Sequence, residues 1–176
     1  MNKLKVITYG NPVLRKKAAL VKKIDDKTKK IADAMVETLR SARGVGLAAN
    51  QIGVLEQICV IDTSKGEKED GLLVLINPVI CESSGNRKFE EGCLSFPEIY
   101  GEVERAAKIK VKALNLKNET IEIVAEDILA RVMQHEIDHL NGVLFIDYLN
   151  FVKKLALQKK LKELKRIANK TNEESE

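Results

Sequence analysis

The segment His135-Glu136-Ile137-Asp138-His139 constrains this chain more than any other, and it holds both of the chain's histidines. On a helix, positions i and i+4 share one face, one turn apart, so the two imidazoles can grip a single ion. The acid beside the first ligand is then placed to take a proton from ion-bound water. Two histidines that met by chance on a surface helix would give the same five residues, so the flanks decide. Ile128, Leu129, Val132, Met133, Ile137 and Leu140 recur at helical spacing, which predicts a largely buried helix. Glu126 and Asp127 start it, and Gly142 stands where its C′ stop belongs. A carboxylate at Glu136 inside such a helix needs a partner, because burying an unpaired charge is costly.

A catalytic site of this kind takes three protein ligands and a water, so a third donor is required. Continuing the motif downstream puts Phe145 where a further histidine would stand, and Phe binds no metal. Glu163 is one alternative, on a strongly basic helix near the end of the chain. The other is Cys93, in Phe89-Glu90-Glu91-Gly92-Cys93-Leu94-Ser95-Phe96-Pro97, since a thiolate binds Zn²⁺ or Fe²⁺ tightly. Cys59 and Cys81 lie in or beside apolar runs and read as buried structural thiols.

With 176 residues and 44% hydrophobic content, the chain suffices for one core, and 1–168 reads as a single catalytic domain with a polar, disordered tail at 169–176. No apolar run approaches the ~18 residues of a membrane span, and the first residues carry too short an apolar stretch for a signal peptide. Three cysteines without framework spacing suit a reducing compartment, so a cytoplasmic protein is expected. A net charge of +4 is compatible with a nucleic-acid-rich neighbour without specifying one, and nothing suggests sequence-specific nucleic acid binding.

Ahead of the metal motif, Pro12 opens a short helix after an irregular lead-in, and 25–42 reads as an amphipathic helix capped by Asp25 or Asp26 and stopped near Gly44. Gly44-Val45-Gly46-Leu47-Ala48-Ala49-Asn50-Gln51-Ile52-Gly53 is rich in small residues, either a flexible turn or a place where another chain approaches closely; its spacing is not that of a phosphate loop. Residues 57–63 and 72–80 read as apolar strands, the second interrupted at Asn77-Pro78 by an edge position or a bend. Ser64–Gly71 reads as a charged loop and Ser83–Asn86 as a turn. A hairpin pairs 108–116 with 120–125. Phe145–Leu149 packs back as a short extended piece. A last helix at 150–168 turns Leu155, Leu157, Leu161, Leu164 and Ile167 inward and its lysines outward. Strands in runs before the metal helix give an α+β class: antiparallel or mixed sheets packed around a central metal-binding helix, with an N-terminal and a C-terminal helix.

Three stretches stand in order: Gly44-Val45-Gly46-Leu47-Ala48-Ala49-Asn50-Gln51, then Glu91-Gly92-Cys93-Leu94-Ser95, then His135-Glu136-Ile137-Asp138-His139. Together they resemble the three signature motifs of the bacterial peptide deformylases. The resemblance implies hydrolysis of the N-formyl group from nascent chains that begin with formyl-methionine. It implies Cys93, His135 and His139 as ligands of one divalent metal, Fe²⁺ with Zn²⁺ or Ni²⁺ as alternatives, and Glu136 as general base. It gives Gln51 and the Leu94 backbone N–H the oxyanion. It assigns main-chain contacts with an extended peptide to Val45, Gly46 and Gly92, and a methionine pocket to Val45, Glu91, Ile128, Val132 and His135. Arg131 would lie at the rim, and Arg105 would pair with Glu91. A transient ribosome contact through the basic C-terminal helix is a further expectation.

Overall fold

The computed structural model describes residues 4–64 and 71–173, with the side chains of 171–173 left aside. Five strands form one antiparallel sheet in sequence order: β1 Gly46–Ala48, β2 Ile58–Asp62, β3 Leu72–Cys93, β4 Phe96–Leu114 and β5 Thr120–Glu126. Three α-helices accompany it, α1 Asp26–Ser41, α2 Asp127–Leu140 and α3 Phe151–Glu173. Every strand pairing in the sheet is antiparallel.

Helix α2 lies on one face of the sheet, where Val132, Met133, Ile137 and Leu140 pack with Cys59, Ile61, Leu75, Ile109 and Val111. Helix α1 covers the other face near β2, with Met35 and Leu39 against Leu47, Ile58, Val60 and Ile76. Covered on both faces, β2 is buried at all five positions, which is why its sequence is a continuous apolar run and not an alternating one. A third cluster joins Phe96, Ile99 and Val103 of β4 to Leu144, Phe145, Ile146 and Leu149, with Leu157, Leu161 and Leu164 of α3 packed against it.

Helix α2 is also held by polar contacts. The Gln134 amide bridges the main chain of Ala106 in β4, accepting from its N–H and donating to its carbonyl, each at 3.0 Å. Asn50 donates to the carbonyl of His139. Gly142, at φ +76°, ends the helix as expected, and a Cβ there would collide with the Arg15 carbonyl.

Several expectations change. Asn77-Pro78 marks a bend, because β3 is an interior strand whose pairing with β4 slips between Ile76 and Val79. Ser83–Asn86 is not a turn; the strand runs through it to Cys93. These residues are solvent-exposed, so burial imposes no alternation that a sequence could display. For the same reason Cys81 is exposed, whereas Cys59 is buried. Phe145–Tyr148 is a 3₁₀ turn, with the Asp147 side chain accepting from the Leu144 N–H at 2.9 Å. Helix α3 runs on to Glu173, past the boundary expected at 168, and residues 174–176 lie outside the described ones. Leu155 and Ile167 are exposed, 57% and 47%, so the inward stripe of α3 is Leu157, Leu161, Leu164 and Ala168. Most of the loop read at Ser64–Gly71 falls outside the described residues.

The two apolar-run cysteines should therefore part company. Cys59→Ala removes a sulfur packed between sheet and α2 and should lower stability by about 1–3 kcal/mol, whereas Cys81→Ala should stay within about 0.5 kcal/mol of the parent. Urea midpoints of the two variants measure this, and equal losses would contradict the burial difference.

Candidate active site

The long β3–β4 hairpin brings Cys93 to the sheet end nearest α2. Its turn is Leu94-Ser95, with Cys93 opposite Phe96, and the register slips between Gly92 and Cys93. An irregularity there re-aims a side chain, and Cys93 Sγ comes to 3.2 Å from His139 Nε2. The ligand atoms of Cys93, His135 and His139 all lie within 4.8 Å of one another. Around a tetrahedral ion with bonds of about 2.0–2.3 Å, donor pairs stand roughly 3.3–3.8 Å apart, so the three are spaced for one ion. Glu163 is exposed on α3 and paired with Arg166, which removes it as a ligand candidate.

The histidines are set in a network. His135 Nδ1 lies 2.9 Å from Glu91 Oε2, which leaves Nε2 for the ion. Glu91 also accepts two bonds from Arg105, from Nε at 2.9 Å and from Nη2 at 3.0 Å. Arg105 then reaches Asp138 with Nη1 and lies over the Tyr148 ring at 4.6 Å. Burial works against a charge on Glu91, but the bonds from His135 and Arg105 outweigh it and bring its pKa down to about 2. Burial, with the neighbouring positive charges, holds His139 well below the ordinary histidine range, so it is neutral and ready to ligate.

Glu136 is 3% exposed, and its Oε2 has no hydrogen-bond partner. Burial pushes its pKa up to about 7, the range suited to a group that both takes and returns a proton near neutral pH. A cysteine sulfur, two imidazoles and an adjacent carboxylate with one unpartnered oxygen form a donor set that fits a divalent ion with a bound water.

Gln51 is positioned by a 3₁₀ turn, Ala49–Ile52. Its Oε1 accepts from the Ala48 N–H at 2.8 Å. That contact orients the amide so that Nε2 donates toward Ser95 Oγ at 3.1 Å and Cys93 Sγ at 3.4 Å. Asn50 and Ser95, which sequence reasoning left without roles, hold this corner together.

A cavity of about 420 Å³ opens over these groups, and Gln51, Cys93, Leu94, His135 and Glu136 line it. One wall is Val45 and Gly46, and another is Glu91, Gly92, Arg131 and Val132. His139 lies buried behind. Ile128, expected in the wall, is 48% exposed and outside the lining. Tyr100 and Arg43, which sequence reasoning did not single out, stand at the mouth. Arg131 is held in the wall, donating to the Glu90 carbonyl at 3.2 Å and lying 5.2 Å from the Phe89 ring centroid.

Among the described residues strand β1 pairs with β2 alone, which leaves its other edge free. Val45, expected among the main-chain contacts to the peptide, instead turns its carbonyl to β2, where it accepts from the Asp62 N–H at 2.9 Å. Antiparallel alternation then turns the N–H and C=O of Gly46 to the free edge. A Cβ at Gly46 would collide with Glu136 Oε1 and with Val132, and one at Gly92 would strike the Tyr100 ring, so both walls depend on glycine.

The family model of the polypeptide deformylases matches residues 3–155. A peptide deformylase of Halothermothrix orenii is 53% identical over 144 residues, 82% of this chain and 92% of that protein. Among solved structures, a peptide deformylase from Legionella pneumophila aligns with a TM-score of 0.88 and 43% identity over 94% of this chain and 97% of that one. Another from Synechococcus elongatus, in complex with actinonin, aligns with a TM-score of 0.85 and 41% identity over 89% of this chain and 87% of that one. With its site geometry and its likeness to these enzymes over nearly its whole length, the chain belongs to the polypeptide deformylase family.

Proposed function

We propose that this chain hydrolyses the formamide of peptides that begin with N-formylmethionine, releasing formate and a free amino terminus. The observation that carries it is Glu136, a buried carboxylate with an unpartnered oxygen, in a cavity flanked by a Cys-His-His donor set and a free strand edge.

Cys93 Sγ, His135 Nε2 and His139 Nε2 are the proposed ligands of one divalent ion. Fe²⁺ is the proposed occupant, with Zn²⁺ or Ni²⁺ accepted by the same donors. When bound, the ion supplies Lewis acidity, which lowers the pKa of water and polarises the formyl oxygen. Glu136 takes the proton from the attacking water and hands it to the leaving amine. The Gln51 amide N–H and the Leu94 backbone N–H donate to the oxygen as it becomes negative. An extended substrate pairs with the main chain of Gly46 and Gly92. Val45 and Val132, with Glu91 and His135 behind them, receive the methionine side chain. The network from Arg105 through Glu91 holds the His135 ring in its ligating orientation. Cytoplasmic residence and transient ribosome contact of the lysine-rich α3 complete the reading. No helix among the described residues is long and apolar enough to cross a membrane.

The direct test is formate release from formyl-Met-Ala-Ser by anaerobically purified protein whose metal is identified by elemental analysis. Cys93→Ala, lacking the one charged donor, should lose both metal content and activity. Full retention of either would sink the ligand assignment.

Glu136 and Gln51 should fail in different ways. Glu136→Ala should keep its metal and lose at least ~10²–10⁴-fold in kcat, since both proton transfers go. Gln51→Leu should lose roughly 10²–10³-fold, mainly in kcat, because its bond strengthens only in the transition state. If Gln51→Leu raised KM steeply with kcat unchanged, Gln51 would be a substrate-holding residue instead.

Acid should weaken the Glu91 network. A carboxyl whose folded pKa lies near 2, below its ordinary 4.5, adds stability that is fully present above pH 4.5 and is lost as pH falls toward 2. Across that window the linkage amounts to roughly 3 kcal/mol. The stability gap between the parent and Glu91→Gln, both metal-free, should therefore be wide at pH 7 and smaller at pH 3. Urea denaturation measures it; a gap independent of pH would remove Glu91 as the titrating group.

A further inference from the structure

Beyond the formyl group and the methionine, the cavity continues past Arg43. This residue follows the end of α1 and has φ +53°, a left-handed conformation that normally falls to glycine or asparagine. Its guanidinium has no hydrogen-bond or ion-pair partner among the described residues. Arg43 and Gly44 line both the main cavity and an adjoining one of about 340 Å³, whose other walls are Leu39, Arg40 and Asp62. In that second cavity the acid is already engaged: Asp62 Oδ1 accepts from the Ser64 N–H at 3.1 Å and its hydroxyl at 2.6 Å, and Oδ2 faces Arg40 Nε at 3.9 Å. Glu90 and Glu98 are the acids lining the main cavity's mouth.

The route of the peptide follows from burial along the segment that leads from α1 into β1. Gly46 touches Glu136 and is buried, Val45 and Gly44 are partly buried, and Arg43 is exposed. A chain paired along the free edge therefore leaves the site past Val45, Gly44 and Arg43 in turn. A peptide whose first residue lies beside Gly46 has its third residue beside Gly44, and Arg43 is the next residue, one Cα step of about 3.8 Å beyond it. We propose that Arg43, with Arg40 behind it, forms a subsite that favours formylated peptides carrying a carboxylate side chain at their third residue. The proposal rests on the deformylase reading. It gives the strained arginine a function that complementing the C-terminal end of the α1 dipole would not require.

The test compares formyl-Met-Ala-Glu, formyl-Met-Ala-Ser and formyl-Met-Ala-Lys on the metal-loaded enzyme. An exposed guanidinium that attracts one side chain and repels the other should give a Glu-to-Lys ratio in kcat/KM of roughly fivefold to tenfold at low salt, carried by KM. The ratio should shrink toward one in about 1 M salt. Arg43→Gly, which suits the positive φ, should keep its Tm while the Glu-to-Lys ratio collapses. Arg43→Glu should invert the ratio. Equal kcat/KM for the three peptides in the parent enzyme would overturn the subsite while leaving deformylation intact. So would a preference that survives Arg43→Gly, or an Arg43→Gly variant that loses stability without a change in preference. No formate from any of the three would overturn the deformylase reading and the subsite with it.

Discussion

Placement of the ligand-bearing elements depends on one buried guanidinium. Arg105 sits on β4 at 5% exposure and binds Glu91 near the end of β3, Asp138 on α2 and the face of Tyr148. A buried cation would be expensive alone, and a buried carboxylate likewise, so neither Arg105 nor Glu91 tolerates loss of the other. The forked, two-bond contact fixes angle as well as distance. Cys93 stands two residues beyond Glu91, and His139 follows Asp138 directly. The pair of contacts therefore sets how the hairpin carrying the thiolate meets the helix carrying the imidazoles.

The sheet supplies the rest by asymmetry. Near β2 it is covered on both faces, by α1 and α2. Beyond the slip at Ile76/Val79 the β3–β4 hairpin keeps α2 on one face, through Ile80, Ile109 and Val111, while its far end packs with α3 and the Phe145–Tyr148 turn. The site lies where these regimes meet, between the free edge of β1 and the bulged tip of the hairpin. A peptide backbone can reach the donors there because Gly46 and Gly92 carry no Cβ on the walls.

The sequence was most legible where burial imposes a period. The stripes of α1 and α2, the continuous run of β2 and the capping by Asp25 all follow from local rules and recur in the structure. The metal motif was legible because two histidines at i and i+4 have few other uses. Physical reasoning took Cys93 as far as a contest with Glu163, and in the structure Cys93 stands beside the two histidines while Glu163 pairs with Arg166 on α3. It failed on the exposed ribbon. Ser83-Ser84-Gly85-Asn86 carries turn residues, yet its partner strand fixes it as strand, and no buried face existed to signal that. Cys81 was misread for the same reason. Ile128 was placed in the methionine pocket on resemblance alone, and at the start of α2 it turns to solvent. Asn50 and Ser95 were missed because their roles arise from contacts across tens of residues, with His139 and Gln51, and Tyr100 because its place opposite Gly92 depends on the hairpin register.

Where the fold leaves polar atoms unsatisfied is itself informative. Asn50 Oδ1, Glu136 Oε2 and His139 Nδ1 are all buried without a hydrogen-bond partner. Glu37 Oε2 on α1 is in the same condition, whereas Gln134 is matched against Ala106 and Asn77 against Val21. An unpaired buried polar atom costs about 1–3 kcal/mol, so three of them in two adjoining motifs would be selected against in a purely structural helix. The cost is tolerable if a ligand or water completes the set in the working state. Glu136 makes the case most directly: its carboxyl is desolvated, raised to about 7 and exposed to nothing except the cavity. A group held in that condition stabilises the fold poorly and transfers a proton well, and the Arg105 network nearby supplies the rigidity that lets the chain retain it.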